Sequence, residues 1–301
     1  MTASVERVYF IGGTGNSGAP AVKELLKNKV PVTLYARSPA KAQKLFGDDP
    51  NLTVIEGVFA DLKPFEDSIA GHTRLFLVVA AGFENRFKYK VEIAQMAYAA
   101  GVKQIVHVSS ISASSPWRTS MVADVHRTNE ERIANIPNRG AYVVLRPAHF
   151  MSNLLWMEAS DIKANTIVDV VDPELGQPWI SNTDIGLVAA NILQDPVEKH
   201  MDAVYEMVGE MVNRKDRAEL LSQALGRKIT YVQATPEETY ESLVKKGFPH
   251  LLAYEMLTDA PGTMPDKASS MLSVLLKRKP ETLAQWLEAN KTALIEATKP
   301  E

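Results

Sequence analysis

Four glycines crowd into the first eighteen residues. Gly12, Gly13, Gly15 and Gly18 follow directly on an apolar run that contains Val5, Val8, Tyr9, Phe10 and Ile11. A helical pattern starts at once behind them, with Ala19, Val22, Leu25 and Leu26. The order is strand, tight turn, helix. The spacing fits Gly13-x-Gly15-x-x-Gly18 and equally Gly12-x-x-Gly15-x-x-Gly18, and the physics is common to both. One glycine allows the turn off the strand, Gly15 lets the backbone approach a pyrophosphate, and Gly18 lets the helix pack closely on the strand. The helix N-terminus then offers N–H groups and the positive end of its dipole to phosphate. The stretch points to a dinucleotide site, with Thr14, Asn16 and Ser17 between the glycines as further contacts. A plain tight turn is the alternative.

The next β-branched run, Val30 to Tyr35, reads as a second strand, with Pro31 near its start where a missing N–H is tolerated. Arg37 follows, 19 residues past Gly18. An acid at this place accepts hydrogen bonds from the adenosine ribose of NAD; an arginine favours the 2′-phosphate of NADP through charge and bidentate geometry. Ser38 and Lys41 stand beside it, and a solvated loop arginine is the bland alternative. A helix over 39–45 and a strand over 52–56 come next. Asp61 is placed either to meet the adenine amino group or to cap a short helix over 63–70.

A strand over 74–79 runs into Ala80, Ala81 and Gly82, small residues that leave room for a cofactor against backbone. Phe83 and Asn85 open a helix to Ala100 whose apolar positions (Val91, Ile93, Ala94, Ala97, Tyr98) keep a helical period. The strand Gln104 to Val108 leads to Ser109 and Ser110, then to a polar loop with Pro116 and Trp117. A helix over 121–136 puts His126 and Glu130 four residues apart on one face. A sixth strand, Tyr142 to Leu145, precedes Arg146, Pro147, His149, Phe150 and Asn153. Strands and helices alternate six times in 150 residues, which predicts an α/β fold: a doubly wound parallel (Rossmann) sheet with its ligand at the carboxyl ends of the strands.

Beyond residue 150 the pattern changes. A short apolar helix is expected over 154–159, a Pro/Gly/Asp-rich loop over 172–178, and a helix over 185–194 capped by Asn182, Thr183 or Asp184. Val204 to Val208 reads as a seventh strand returning to the main sheet. A helix over 214–224, a strand over 228–233 and helices over 235–246, 249–258, 265–278 and 280–297 follow. Residues 1–155 with about 181–209 form the expected NADP-binding domain. About 156–180 and 210–301 form a smaller, mostly helical lobe over the strand ends, whose Tyr254, Met256, Met264 and Met271 read as core of that lobe or as an apolar lid.

Composition narrows the function classes. A net charge of −3 over 301 residues gives no basic nucleic-acid footprint. With no cysteine there is no disulfide framework, thiol nucleophile or Cys-based metal site, and this fits a reducing cytoplasm. The first residues are expected to enter strand one directly, with no signal peptide expected ahead of it, and no apolar stretch approaches 18 residues. No metal-ligand spacing and no Gly-x-Ser-x-Gly elbow occur.

The chain resembles the NmrA-like branch of the atypical short-chain dehydrogenase/reductases up to about residue 240. The likeness rests on Ile11-Gly-Gly-Thr-Gly-Asn-Ser-Gly18, on Arg37, and on Ala99-Ala-Gly-Val-Lys-Gln-Ile-Val106 running into Ser109 and Ser110. It rests also on Leu145-Arg-Pro147 with Phe150-Met-Ser-Asn153, on Asp184-Ile-Gly186, and on Leu225-Gly-Arg-Lys-Ile-Thr-Tyr231. It implies an NADP-binding Rossmann domain, a small lobe shaping a cleft, and either an NADPH-dependent reductase or a cofactor-sensing regulator. One departure matters. Ordinary short-chain dehydrogenases carry Tyr-x-x-x-Lys, and no tyrosine here has a lysine four residues later. Where isoflavone reductase-like enzymes would carry a lysine, this chain reads His126-Arg-Thr-Asn-Glu130, similar to bacterial quinone and triphenylmethane-dye reductases of the same branch.

The expected reaction is therefore hydride transfer from NADPH to a small, apolar carbonyl, enone or quinone-like acceptor. His126, Ser110 and Glu130 are the catalytic candidates, against surface, strand-end and ion-pair roles. Ala80, Ser110, Arg146 and Pro147 would lie at the nicotinamide, although a structural ion pair is the favoured role for Arg146. Phe83, Trp117, His149, Phe150, Asn153 and Trp156, with Met157, would line the acceptor cleft, against core packing. The competing reading is a non-catalytic NADP(H) sensor that binds a protein partner. The expected partners are thus a small-molecule substrate and neither nucleic acid nor membrane, with a homodimer or regulatory partner left open.

Overall fold

Apolar, β-branched runs need cover on both faces, and here they form the middle of a parallel sheet. The structure is a computed structural model that describes residues 6–79, 86–257 and 265–299. Its strands in chain order are β1 (Val8–Ile11), β2 (Val32–Ala36), β3 (Leu52–Glu56), β4 (Arg74–Leu77), β5 (Gln104–Val108), β6 (Ala141–Pro147), β7 (His149–Phe150), β8 (Thr166–Asp169), β9 (Gly176–Ile180), β10 (Val204–Met207), β11 (Glu210–Asn213) and β12 (Thr230–Gln233). The main sheet has the order β10-β6-β5-β4-β1-β2-β3, all parallel. The chain winds outward in both directions from β1 and β4. That reversal leaves a crevice at their carboxyl ends, where open α/β sheets hold their ligands.

The two faces of the sheet carry separate cores. On one, Phe10, Leu34, Phe76, Val106, Val143 and Leu145 pack under the helices Gly18–Lys27 and Asn182–Gln194. On the other, Tyr9, Leu75, Leu77 and Ile105 pack under Phe65, Ile93, Ala94, Ala97 and Ile133. A third core lies in the C-terminal part, around Trp179, Leu221, Leu283 and Trp286. The seventh strand, β10, pairs with β6 as expected.

The C-terminal region differs from its sequence reading in several places. The helical lobe also carries two short sheets, β11-β9-β7 and β12-β8. Residues 172–178, expected as loop, run into β9, where Pro178 is tolerated two residues into the strand. In place of a helix over 154–159 there are a 3-10 turn, Met151–Leu155, and a helix, Ala159–Lys163. Of 265–278 only Leu272–Leu276 is helical among the described residues, and 280–297 is two helices, Leu283–Ala289 and Lys291–Ala297, joined at Asn290. The helix expected over 185–194 begins at Asn182, capped by Ser181, whose hydroxyl accepts from Asp184 N. Ala80, Ala81 and Phe83 lie outside the described residues, as does Met264. Among the described residues no helix is long and apolar enough to cross a membrane, and no cluster of His, Asp or Glu could hold a metal ion.

Candidate functional site

Gly12, Gly13 and Gly18 sit where no side chain fits. Gly12 has φ +85°, and a Cβ there would sit 2.6 Å from the Val78 carbonyl oxygen. A Cβ on Gly18 would fall on the Gly12 carbonyl oxygen. Gly15 N donates to Gly12 O at 3.0 Å, closing the turn before the helix Gly18–Lys27 begins. Ser17 makes no capping bond; its hydroxyl instead accepts from Asn182 Nδ2 at 3.0 Å, and it is buried. Gly186 lets the helix Asn182–Gln194 press on the back of the turn, since a Cβ there would meet Ser17 O at 2.6 Å. The turn is thereby held from behind by two residues of a distant helix.

Beside this turn lies a cavity of about 160 Å³, lined by Gly12, Thr14, Gly15, Tyr35, Arg37, Lys41, Phe59 and Val78. Arg37 and Lys41 are both exposed cations at its rim. Ser38 caps the helix Pro39–Phe46, accepting from Lys41 N at 3.2 Å. Tyr35 Oη lies 3.0 Å from Val58 O and 2.7 Å from Asp61 O, which pins the loop 57–62. Asp61 Oδ1 accepts from Lys63 N at 3.0 Å from one residue before the N-cap, Leu62, which has no side-chain capping bond. Asn16 is exposed on the turn. Glycines whose Cβ atoms would fill the turn, a helix N-terminus and two cations fit a phosphorylated dinucleotide.

Val78 is shared with a second cleft of about 400 Å³. Ser109, Ser110, His126, Pro147, His149, Phe150 and Asn153 line it. Ser110 heads a 3-10 turn, Ile111–Ser114, and its hydroxyl accepts from Ser112 N at 3.2 Å. His126 Nδ1 is 3.4 Å from Ser109 Oγ, and Ser109 donates to Glu130 Oε1 at 2.5 Å. Glu130 is buried and takes Arg146 in a fork, Nε to Oε1 at 3.1 Å and Nη2 to Oε2 at 2.5 Å. Those bonds, ahead of the opposing desolvation, hold the Arg146 guanidinium above its usual pKa. The expected structural ion pair of Arg146 is present, with Glu130 as its partner, while Arg127 pairs with Asp124. Trp117 and Trp156 stand exposed and do not line the cleft. Met157 lines a neighbouring cavity of about 290 Å³, which shares His149, Leu252 and Met256 with the cleft. There Glu158 sits against Arg217 at 3.0 Å. Burial pushes its pKa up, but Arg217 and His149 outweigh it and bring it below the ordinary value.

Two groups at this cleft escaped the sequence reading. Lys90 lines it and is 4% exposed; its Nζ lies 2.8 Å from His107 Nε2 and 3.3 Å from Val108 O. His107 Nδ1 is in turn 2.6 Å from Tyr142 Oη. The signal was there: Lys90 is in phase with Ile93, Ala94 and Ala97 on the buried stripe of the helix Arg86–Ala99. The other is Glu255, on the helix His250–Leu257. It accepts from Ser120 Oγ at 2.7 Å, from Met121 N and from Val122 N at 3.2 Å, and so caps the helix Met121–Ala134 across the cleft. Nothing local in the sequence marks that contact.

The NmrA-like family profile matches residues 4–287. The chain belongs to the NmrA-like family. The NAD(P)H azoreductase of Xenophilus azovorans is 26% identical to this NmrA-like protein over 293 residues, 95% of this chain and 98% of the relative. The crystal structure of the NADPH-dependent quinone oxidoreductase of Escherichia coli, complexed with NADPH, superposes with a TM-score of 0.78 at 24% identity, covering 94% of this chain and 99% of that one. NmrA, a negative transcriptional regulator solved with NADP, gives a TM-score of 0.77 at 17% identity over 99% of both chains. At those identities the two structures speak for the fold of this NmrA-like protein, a seven-stranded sheet with helices on both faces.

Proposed function

We propose that this protein is an NADPH-dependent reductase that passes hydride to a small, apolar carbonyl, enone or quinone-like acceptor. The observation that carries the proposal is the 400 Å³ cleft with hydroxyl, imidazole and ammonium groups on its wall, joined at Val78 to the glycine cradle. A cofactor-binding portion of residues 1–155 and about 181–209, with the remainder as a lobe over the strand ends, accords with this division of labour. Gly12 to Gly18 would hold the pyrophosphate, Arg37 and Lys41 the 2′-phosphate, and Ser110 and Pro147 would flank the nicotinamide. When bound, the dihydronicotinamide supplies the hydride. The chain's own work is alignment and exclusion of water: Phe150 and Pro147 present apolar surface, while Ser110 and His126 offer polar contacts to the acceptor oxygen. That two relatives 26% identical in sequence are an NAD(P)H azoreductase and a quinone oxidoreductase supports the same class.

The competing reading, an NADP(H) sensor acting through a protein partner, draws on the likeness in fold to NmrA. The room in the acceptor cleft weighs against it, since a pure sensor has no use for that space. The deciding experiment is a fluorescence titration with NADPH and with NADH, followed by nicotinamide absorbance with a panel of quinones, enones and aromatic carbonyls. Tight NADPH binding with acceptor-dependent oxidation is expected. Tight binding with no oxidation across the panel transfers the weight to the sensor, and no dinucleotide binding ends both readings.

A further inference from the structure

The acceptor cleft has a neighbour. A second cavity of about 290 Å³ lies beside it, and three residues line both spaces: His149 from β7, and Leu252 and Met256 from the helix His250–Leu257. Nothing in the hydride transfer described above uses it. We propose that, given the reductase reading, this cavity is a second compartment of the acceptor site. It takes the far ring of an elongated, uncharged aromatic substrate. His149, at the junction, accepts a hydrogen bond from a hydroxyl or amino group next to the link between the rings.

Volume and charge set the ligand class. About 150 Å³ is enough to hold a benzene ring, so the cavity has room for a substituted one. Much of its wall is apolar, with Met157, Ile162, Ile167, Leu243 and Phe248. The rest carries three carboxylates, and each already has its cation: Glu158 with Arg217 at 3.0 Å, Asp169 with Arg214 at 3.0 Å, and Asp161 with Lys246 at 2.6 Å. A charged group entering here gives up its water and finds every lysine, arginine and carboxylate of the lining already paired. A neutral ring loses little by the same transfer. Met256, unbranched and flexible, lets the shared wall adapt to what passes it.

His149 is oriented for its role. Its ring meets Trp179 edge-on, with centroids 4.5 Å apart, and the Arg217 guanidinium lies 5.2 Å from the same Trp179 ring. Glu158 Oε1 is 3.4 Å from His149 Nε2. Burial would raise the Glu158 pKa, but Arg217 and His149 bring it below the ordinary value, so the carboxylate is ionised and takes the Nε2 hydrogen. Asn153 Nδ2 lies 3.3 Å from the same nitrogen, and half a turn of that amide presents its oxygen instead. A neutral imidazole with its hydrogen on Nε2 keeps its lone pair on Nδ1. Nδ1 has no partner among the described residues and is not sealed in protein. That lone pair, where the two spaces meet, selects a substrate that brings a donor there. Glu158 is a positioning residue, acting only through His149.

The test pairs turnover with a readout that needs none. Phenol, biphenyl, 2-hydroxybiphenyl and biphenyl-4-carboxylate are titrated calorimetrically into the NADP⁺ complex at about pH 8, where an imidazole is ordinarily neutral. NADPH oxidation is followed with 1,4-benzoquinone and 2-phenyl-1,4-benzoquinone. 2-Hydroxybiphenyl should bind about tenfold or more tighter than phenol, which lacks the second ring. It should bind about fivefold tighter than biphenyl, which lacks the hydroxyl, and tighter than the carboxylate. Ser242 lines the compartment from the helix Pro236–Lys245. Ser242→Phe should abolish the gain over phenol and cut turnover of the two-ring quinone about tenfold, while phenol binding and 1,4-benzoquinone turnover stay within about twofold. His149→Phe keeps a ring on Trp179 without the lone pair, so 2-hydroxybiphenyl and biphenyl should bind alike. Melting temperature and NADPH affinity establish that each variant is folded, and should Ser242→Phe not fold, the wild-type ligand series and His149→Phe decide. 2-Hydroxybiphenyl binding no tighter than phenol, or equal losses for one and two rings in Ser242→Phe, overturns the second compartment. A hydroxyl preference that survives in His149→Phe overturns the role of His149. Tight 2-hydroxybiphenyl binding that Ser242→Phe abolishes, with no NADPH oxidation by either quinone, ends the reductase reading and leaves the compartment standing as a ligand site.

Discussion

The two ends of the cleft are built from different materials. The dinucleotide end is built around backbone: a turn of seven residues, closed by its own hydrogen bonds and so crowded at Gly12, Gly13 and Gly18 that a Cβ there would clash. The acceptor end is made of side chains brought from the helix Arg86–Ala99, β5, the helix Met121–Ala134, the segment after β6 and the helix His250–Leu257. The first end is specified by shape, the second by charge and protonation. Steric changes should therefore damage one and electrostatic changes the other.

The largest effect is expected at the acceptor end. Glu130→Ala leaves the Arg146 guanidinium without its fork and should cost on the order of 3 kcal/mol of stability, since stranding one member of a buried pair is expensive; urea unfolding of the variant checks it. At the other end, Gly18→Ala drives a methyl group onto the Gly12 carbonyl. Overpacking costs about 1–3 kcal/mol, here in the geometry that faces the pyrophosphate, so NADPH affinity should fall about 10–100-fold by fluorescence titration. An unchanged affinity would mean that the turn is softer than its crowding implies.

Arg37→Ala sharpens the contrast, because it alters charge at the end governed by shape. Being exposed, Arg37 should contribute about a tenfold preference for NADPH over NADH, read from the two dissociation constants. The smallest effect separates the ends by pH. His107 and His72 are buried, and burial, the largest cause for each, lowers both pKa values. In the unfolded chain they bind protons near pH 6.5, in the folded protein only at lower pH. Stability contributed by their neutral forms is complete above about pH 6.5 and lost as the pH falls below it, by at most about 1.4 kcal/mol per pH unit for each. The urea midpoint should drop between pH 7 and pH 5.5, and His107→Gln should flatten the drop.

The same contrast explains what the sequence disclosed. The glycine turn, the six alternating strands and helices and Arg37 are local patterns, each legible over a few residues. Strands β3 and β5 have the predicted boundaries, Leu52–Glu56 and Gln104–Val108. The small lobe was harder because β7, β9 and β11 are short and pair with one another across long sequence separations, and Pro178 disguises β9 as a loop. At the site, His126, Ser110, His149, Phe150 and Asn153 do meet in one cleft. Glu130 pairs with Arg146, 16 residues away on a neighbouring element, and not with an arginine of its own helix. Lys90 left a trace, a cation in phase with an apolar stripe, whereas Glu255 left none.

Glu255 carries a consequence for the walls of the cleft. Its carboxylate takes first-turn N–H groups beside the Ser120 cap of the helix that bears His126, and it is mounted on a helix that lines the same cleft. Removing the carboxylate would leave the Met121 and Val122 N–H groups without this partner while the Ser120 cap stays, at a cost of about 1 kcal/mol. One carboxylate thus ties two walls of the cleft together, so the helix His250–Leu257 and the start of the histidine helix are coupled through a single side chain.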